Sequence, residues 1–206
     1  MIVIQSRLNA LRKLMKERGM DAYMIPTADF HESEYVGEHF KCREYMTGFT
    51  GSAGTALVTM DEACLWVDGR YYVQAAAQLK DSTMTMMKMG QEGVPSLGAY
   101  LDDKMPEGGC LGFDGRVMND QMVEKIKERL EPKQASISFE EDLIGQIWED
   151  RPSLPEEPVW ILEETYAGKS ASQKILELRQ EMEKAKATLH ILTTVDDIAW
   201  LLNIRG

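Results

Sequence analysis

A glycine-rich stretch is one place in the sequence where the residue types could do chemistry. The segment TGFTGSAGTALVT, residues 47–59, sets Gly48, Gly51, Ser52 and Gly54 directly before an apolar, β-branched run. A phosphate loop needs a lysine after its last glycine, and a dinucleotide fingerprint lies between a strand and a helix. This stretch lacks the lysine and precedes a predicted strand. Because glycine suits a left-handed backbone or a close approach of another surface, we expect a tight, closely packed turn rather than a nucleotide site.

Two histidines share one polar segment with several carboxylates. His31 and His39 stand near Glu34 and Glu38, and both side-chain types are common ligands of divalent metals. Carboxylates a few residues apart on a loop fix no coordination geometry, however. A metal site here stays an alternative, and we predict none.

Cys42, Arg43 and Arg70 are the other candidates for chemistry or binding. Cys42 and His31 fall in one region and could form a nucleophile–base pair in a small hydrolase, but no third group or oxyanion donor is identifiable. Arg43 and Arg70 are better candidates for binding, since a guanidinium can hold a peptide carboxylate or carbonyl through two hydrogen bonds. The alternative for each arginine is an intramolecular salt bridge. No catalytic residue is predicted.

The overall charge limits the partners that the protein can have. The 206 residues include 34 Asp and Glu against 23 Lys and Arg, which gives a net charge of -11. Such a surface repels phosphate backbones and anionic lipids, so we expect no nucleic-acid or membrane partner. The sequence has no long apolar run and no signal-peptide layout, which predicts a cytoplasmic protein. Its three cysteines form no C-x-x-C pair and are expected to be reduced.

Hydrophobic periodicity predicts the helices and strands that would hold these residues in place. Leucines recur at helical spacing between Ser6 and Arg18, which predicts a first helix with Ser6 as its N-cap and Gly19 just beyond its end. The β-rich runs 55–60 and 63–67 are separated by only two residues. That spacing predicts an antiparallel hairpin.

Strand and helix patterns alternate through the rest of the sequence before residue 150. Further strands are predicted at 22–25, 83–89, 110–113 and 136–139, and further helices at 70–79, 96–104, 119–130 and 140–149. The fold class is therefore α/β, with a six-stranded mixed sheet flanked by helices.

A charged, proline-containing segment marks a domain boundary. The run EDRPSLPEEP disfavours helix and central strand. We therefore predict a domain at 1–150, a linker at 151–158 and a second region at 159–206. The second region is predicted to hold strands at 159–162 and 190–195 and helices at 171–186 and from Asp196 onward. It is too short to bury its own apolar faces, so it is interpreted as the beginning of a second, truncated domain.

Five motifs in this order resemble one enzyme family. The motifs DAYMIPTADFHESEY, GFTGSAGTALVT, LWVDGRYYVQAAAQL, IWEDRP and VDDIAWLLNIRG resemble the N-terminal part of the aminopeptidase P group in the creatinase/prolidase family. The resemblance spans essentially the whole chain. It implies a creatinase N-terminal domain, which is ribonuclease H-like, followed by the start of a second similar domain. It also implies that Gly48, Gly51, Ser52 and Gly54 form the hallmark turn of that domain.

The resemblance further implies a function for the longer enzyme. Members of the family hydrolyse the bond between an N-terminal residue and a following proline, with two Mn²⁺ ions held in a C-terminal domain. Nothing in this sequence matches that domain, so no catalytic or metal-binding residue is carried over. The chain is expected to serve homodimerisation and access to the active site, with His31, Arg43 and Arg70 as candidate contacts. The alternative is a free-standing creatinase-like module that binds peptides or a partner without catalysis.

Overall fold

A computed structural model describes residues 2–206, which form two compact units. The first unit comprises Glu34–Pro152 and the chain up to Phe30. The second comprises Ser153–Gly206 and His31–Ser33. Within the described residues, no helix is long and apolar enough to cross a membrane.

The first unit is built on one six-stranded sheet. Its strands are β1 Ala22–Pro26, β2 Thr55–Thr59, β3 Ala63–Val67, β4 Thr85–Lys88, β5 Cys110–Gly112 and β6 Ser136–Ser138. The strand order is β4-β3-β2-β1-β5-β6, with β2 antiparallel to both neighbours and every other pair parallel. The predicted mixed sheet and the predicted β2–β3 hairpin are confirmed.

Helices cover both faces of this sheet. They are α1 Ile2–Glu17, α2 Cys42–Thr47, α3 Tyr72–Gln78, α4 Leu97–Lys104, α5 Asp120–Leu130 and α6 Leu143–Ile147. Side chains alternate along β1, so Tyr23 and Ile25 join one core cluster while Ala22 and Met24 join another. The first cluster also holds residues of α1, α2, α3 and α6, and the second holds residues of α4 and α5. This two-sided burial explains why the strands are short apolar runs.

The first helix begins earlier than the sequence predicts. It starts at Ile2, and Ser6 is an exposed residue inside it, so the predicted N-cap at Ser6 is wrong. Ile4 packs against the core and extends the apolar face upstream, which outweighs the capping preference of serine. The predicted end is confirmed, because the N–H of Met20 donates to the carbonyl of Met15, 2.9 Å away, in the manner of a Schellman stop.

Two other predicted elements differ in the structure. The helix predicted at 140–149 is only Leu143–Ile147, because Asp142 caps it: its Oδ1 accepts the N–H of Gly145 at 2.8 Å. The strand predicted at 190–195 is absent from this described segment, so that prediction is wrong. Thr194 instead caps the following helix by accepting the N–H of Asp197 at 3.4 Å.

The second unit is small. Its elements are β7 Trp160–Ile161, α7 Glu164–Ala167, α8 Ala171–Lys184, α9 Val195–Leu202 and β8 Ile204–Arg205. Strands β7 and β8 pair with each other in antiparallel fashion. Ser170 begins α8 with a capping box, in which its side chain and that of Gln173 each accept the other's backbone N–H.

Candidate functional site

The candidate site lies at one edge of the six-stranded sheet. Strands β1, β3 and β5 are parallel, so their carboxyl ends meet at the same edge. Strand β2 is antiparallel to them, so the glycine-rich stretch before it enters at that edge too. Open α/β sheets bind ligands beside the carboxyl ends of their parallel strands. The glycine-rich loop, residues 48–54, is therefore well placed for binding.

Arg43 on α2 holds this loop from inside. Only 4% of the residue is exposed. Its Nη1 donates to the carbonyl of Phe49, its Nη2 donates to the carbonyl of Gly51, and its Nε donates to Thr27 Oγ1 at 3.0 Å. Burial lowers the pKa of Arg43 to about 10, so the guanidinium stays charged at neutral pH. These donors are directed at two backbone carbonyls and one hydroxyl of the protein itself, and the role of Arg43 as a substrate or dimer contact stays a prediction.

Thr27 ties the end of the loop to the end of β1. Its Oγ1 donates to the carbonyl of Gly54 at 2.8 Å, and its backbone N–H donates to the same oxygen at 3.1 Å. Because Arg43 also donates to Thr27 Oγ1, the loop, α2 and β1 form one hydrogen-bonded unit. The loop is thus held on a rigid scaffold.

The three glycines of the loop meet different requirements. Gly48 ends α2 with a left-handed backbone, φ 73°, and its N–H donates to Glu44 O at 2.7 Å. A Cβ on Gly51 would lie 2.2 Å from Phe49 Cζ and 2.8 Å from Tyr71 Cδ1. A Cβ on Gly54 would lie 3.0 Å from the carbonyl oxygen of Trp66. The loop is therefore a tight and closely packed turn, as the sequence predicts.

A cleft opens beside the loop. Its volume is about 230 Å³. It is lined by Thr27, Glu34, Tyr35, Val36, Phe40, Lys41, Arg43, Glu44, Thr50, Gly51 and Ser52. Charges of both signs therefore border a partly apolar space next to a rigid loop. Such a cleft could accept one or two residues of an extended peptide.

Arg70 lies in a tight turn at the end of β3. Its backbone N–H and its Nε both donate to Asp68 Oδ1, at 3.0 and 2.9 Å, and its Nη2 donates to Asp68 Oδ2 at 2.9 Å. This carboxylate raises the pKa of Arg70. The side chain is 69% exposed, so the intramolecular pair leaves one side of the guanidinium open to solvent. Beside it, Ser52 Oγ and Tyr71 Oη are 2.6 Å apart and join the loop to the same turn.

A second turn of the same kind ends β5 and joins a charge network. Arg116 donates to Asp114 with the same three groups that Arg70 uses. Its Nη2 also donates to Asp142 Oδ2 at 3.0 Å, and Arg151 Nη1 donates to that same oxygen. Burial raises the pKa of Asp142, but these bonds and charges, with the Gly145 N–H, outweigh it and hold the pKa below its usual value. The network fastens the end of the first unit to the sheet edge.

We expect Asp142→Asn to weaken the protein in a pH-dependent way. A carboxyl group with a lowered pKa stabilises the fold above its unfolded pKa, near 3.9, and loses that contribution as the pH falls through the folded value. At pH 7 the variant should unfold with a free energy lower by about 2 kcal/mol, because asparagine keeps the Gly145 bond but leaves two arginines without their shared charge. Denaturant unfolding at several pH values measures this.

The wild-type advantage over Asp142→Asn should shrink steadily below pH 4. Asp103→Asn is the matched control, since that carboxylate is 77% exposed. It should change the free energy of unfolding by less than about 0.5 kcal/mol at any pH. A difference between wild type and Asp142→Asn that is the same at pH 3 and pH 7 would contradict the role given to the charge.

The structure weakens the hydrolase alternative that uses Cys42. Burial raises the pKa of the Cys42 thiol to about 12, and Arg151 Nη2 donates to its sulfur at 3.3 Å. A thiol with that pKa is almost wholly protonated at neutral pH and is a poor nucleophile. Cys42 is half-buried, whereas His31 is exposed. The other histidine of this segment, His39, has its Nδ1 2.7 Å from the carbonyl oxygen of Pro152.

The described residues do not fit a metal centre. Among residues 2–206, no three His, Cys, Asp or Glu side chains come together in a way that could hold a metal ion. The acidic segment around His31 and His39 thus supplies no ligand set within that range. No chemical step is assigned to a metal bound by this chain.

Comparison with known proteins places the chain in a family. A family model described as the creatinase/prolidase N-terminal domain matches residues 7–146. The chain belongs to the creatinase/prolidase family. A second model with the same description matches residues 150–206. The creatinase N-terminal fold that the sequence predicts is confirmed.

Curated relatives of this creatinase/prolidase chain are named as aminopeptidases. A probable Xaa-Pro aminopeptidase P of Sordaria macrospora is 41% identical over 97% of this chain and 33% of its own length. Aminopeptidase P2 of Arabidopsis thaliana is 38% identical over 100% of this chain and 29% of its own length. The chain corresponds to the N-terminal region of such enzymes and spans about a third of their length.

Solved structures of the creatinase/prolidase family agree. The crystal structure of X-prolyl aminopeptidase from Caenorhabditis elegans, described as a cytosolic enzyme with a di-nuclear active site, matches with a TM-score of 0.87 and 32% identity. The match covers 100% of this chain and 35% of that one. The N-terminal domain of cytoplasmic peptidase PepQ from Mycobacterium tuberculosis matches 69% of this chain with a TM-score of 0.50 and 27% identity.

The sequence alone did not reveal every residue that builds the site. Thr27 and Asp142 were missed, although both make several hydrogen bonds at the sheet edge. Arg151 lies within the motif IWEDRP. This motif, one of the five that carry the family resemblance, is the one sequence feature that points to Arg151. No spacing rule could predict that Arg151 donates to Asp142 Oδ2 and to the carbonyl of His39, 2.8 Å away, because such contacts depend on the tertiary fold.

Proposed function

We propose that this chain acts as the non-catalytic N-terminal part of a metal-dependent Xaa-Pro aminopeptidase. Such an enzyme hydrolyses the bond between an N-terminal residue and a following proline, so its substrates are peptides with proline at the second position. The observation that supports this most is the likeness to the C. elegans X-prolyl aminopeptidase over 100% of this chain but only 35% of that enzyme.

Peptide-bond hydrolysis itself is proposed to take place in a part of the longer enzyme that this chain does not contain. Two Mn²⁺ ions in a C-terminal domain would polarise the scissile carbonyl and supply hydroxide at neutral pH. The C. elegans relative is a cytosolic enzyme with a di-nuclear active site, which supports both the metal pair and a cytoplasmic location. The proposed organisation is a first domain at 1–150, a linker at 151–158 and the start of a second domain at 159–206.

The chain's own contribution is dimerisation and control of access to the active site. The cleft beside the glycine-rich loop and the exposed side chains of Arg70 and His31 support this role, because all three lie at the protein surface. Arg43 supports it indirectly, since it fixes the loop that borders the cleft. The protein is proposed to be a homodimer.

The isolated chain tests the non-catalytic part of the proposal. With Mn²⁺ and a peptide that begins Arg-Pro-Pro, it should release no arginine above the blank, and calorimetric titration with Mn²⁺ should show no tight binding. Release of arginine that a chelator abolishes would contradict the proposal. Sedimentation equilibrium at micromolar concentration should show a dimer. A monomer at every concentration would contradict the proposed dimerisation.

A further inference from the structure

The sequence Asp-Gly-Arg occurs twice, at residues 68–70 and 114–116, directly after β3 and β5. In each copy the arginine Nε and Nη2 donate to the two carboxylate oxygens of the aspartate. These bonds leave Nη1 of Arg70 and of Arg116 as a further donor, and the two side chains are 69% and 55% exposed. Because each aspartate offsets the charge of its arginine, these donors suit a neutral carbonyl better than a carboxylate.

A row of side-chain contacts connects the two turns. Arg116 Cζ lies 5.3 Å from the centre of the Phe30 ring, and that ring lies 4.7 Å from the ring of Phe40. Phe40 and Ser52 both line the cleft beside the glycine-rich loop. Ser52 Oγ lies 2.6 Å from Tyr71 Oη, and the Tyr71 ring lies 5.1 Å from the guanidinium carbon of the first turn. This row forms one surface, the edge surface, with an arginine at each end and the cleft between them.

The strand order sets the length of the edge surface. Strands β3 and β5 are separated by β2 and β1, so the two turns lie three strand spacings apart across the sheet, or about 14 Å. An extended peptide rises about 3.3 Å per residue. A segment whose carbonyls reach both arginines therefore spans about four residues, and its central side chains lie over the cleft.

The cleft offers two carboxylates to such a segment, those of Glu34 and Glu44. Glu34 lies within electrostatic range of Arg70, and Glu44 lies within range of Lys41 and Arg43. Each of these three cations already donates to another group of the protein. Because a carboxylate can accept about four hydrogen bonds, both glutamates keep room for a cationic donor.

Aromatic rings line the same cleft. They belong to Tyr35 and Phe40, and Tyr35 is 75% exposed. Aromatic faces attract guanidinium and ammonium groups, and carboxylates pair with them. The net charge of -11 adds a long-range attraction for basic peptides. The cleft therefore suits the side chain of an arginine or a lysine.

We propose that the edge surface binds an extended peptide segment that carries an arginine or a lysine. The basic side chain enters the cleft and pairs with Glu34 and Glu44. On either side of it, Arg70 and Arg116 each donate to a backbone carbonyl of the segment. This inference goes beyond the proposed function and does not depend on it, because the recognised segment need not contain proline or a free amino terminus.

Peptide titrations of the full chain test this inference. The peptides are acetyl-Ala-Ser-Ala-X-Ala-Ser-Ala-amide, in which X is arginine or citrulline, the neutral analogue of arginine. The blocked amino end and the lack of proline mean that neither peptide is an Xaa-Pro substrate, so the result is independent of the proposed function. Two-dimensional NMR of the isotope-labelled chain in about 0.15 M salt gives the affinity and the amides that shift.

The arginine peptide should bind at least about tenfold more tightly than the citrulline peptide, because only the first makes charge-assisted hydrogen bonds in the cleft. The amides that shift should be those of residues 34–52 and of the two Asp-Gly-Arg turns. Arg70→Met should weaken both peptides by the same factor, because it removes a donor to the backbone that they share.

Glu44→Gln separates recognition of the basic side chain from binding of the backbone. It should weaken the arginine peptide at least about fivefold and change the citrulline peptide by less than about twofold. Glu124→Gln is the matched control, since it removes the same charge from a side chain of α5 that is 52% exposed. It should change the affinity for either peptide by less than about twofold.

Four results would overturn the inference. The first is that neither peptide binds, and the second is that both bind with equal affinity. The third is an equal loss in Glu44→Gln and Glu124→Gln, which would assign the binding to the net charge alone. The fourth is a set of shifts confined to residues outside the edge surface. If the spectrum of Glu44→Gln shows an unfolded chain, Glu34→Gln decides with the same two peptides.

Discussion

Replacing Arg43 with methionine should lower the free energy of unfolding by about 3 kcal/mol. The change leaves the carbonyls of Phe49 and Gly51 without their buried donor, and each such buried polar group costs about 1–3 kcal/mol. Methionine keeps the packing of the aliphatic stem, which limits the loss. Arg43→Lys should cost nearly as much, since a lysine ammonium cannot reproduce the planar fork that reaches both carbonyls. Chemical denaturation followed by circular dichroism measures both variants.

Arg70→Met is the matched control for this prediction. It makes the same chemical change in an exposed turn, where the pair with Asp68 is open to solvent. Its free energy of unfolding should change far less than that of Arg43→Met, because ion pairs exposed to solvent contribute little to stability. If Arg43→Met and Arg70→Met had equal effects, Arg43 could not be the internal clamp of the glycine-rich loop.

Adding a single methyl group at Gly51 should also be costly. The Cβ would lie 2.2 Å from Phe49 Cζ and 2.8 Å from Tyr71 Cδ1, and Phe49 is fully buried. Overpacking of this kind costs about 1–3 kcal/mol. We expect Gly51→Ala to lose about 2 kcal/mol, which for a chain of this length lowers the melting temperature by roughly 4–8 °C. Differential scanning calorimetry measures the shift.

Gly37→Ala controls for the loss of glycine itself. A Cβ at Gly37 would have no atom within 4 Å, and its backbone, φ -65° and ψ 164°, suits any residue. Its melting temperature should stay the same or rise slightly. Adding Phe49→Leu to Gly51→Ala should recover part of the loss, because the smaller side chain leaves room for the methyl group. A Gly51→Ala variant as stable as wild type would show that the ring of Phe49 moves away freely.

The sheet of the first unit could be predicted from sequence because its strands carry strong local signals. The short apolar runs at 22–25, 55–60 and 63–67 are bounded by glycine, proline or polar residues, and the two-residue connection fixes the hairpin. The strand predicted at 190–195 had the same local signal but is not formed. Strand formation there would need a pairing partner, and β7 pairs instead with Ile204–Arg205.

The candidate site could be predicted only in part. The composition of the glycine-rich loop indicates a tight turn, and the structure gives each glycine a steric or backbone reason. The internal use of Arg43 could not be read from sequence, since its acceptors are backbone carbonyls six and eight residues away that carry no sequence signal. The salt bridges of Asp142 with Arg116 and Arg151 could not be predicted from the sequence for the same reason.

The peptidase activity of a fusion protein, in which this chain precedes the rest of a solved relative, tests the central claim most directly. This chain replaces the matched 35% of the C. elegans X-prolyl aminopeptidase, and kcat/KM is measured with a peptide that has proline at its second position. If the chain is the N-terminal part of such an enzyme, the fusion should be at least about a hundredfold more active than the remainder alone, which corresponds to about 2.7 kcal/mol of recovered transition-state stabilisation. A folded fusion no more active than the remainder alone would contradict the account.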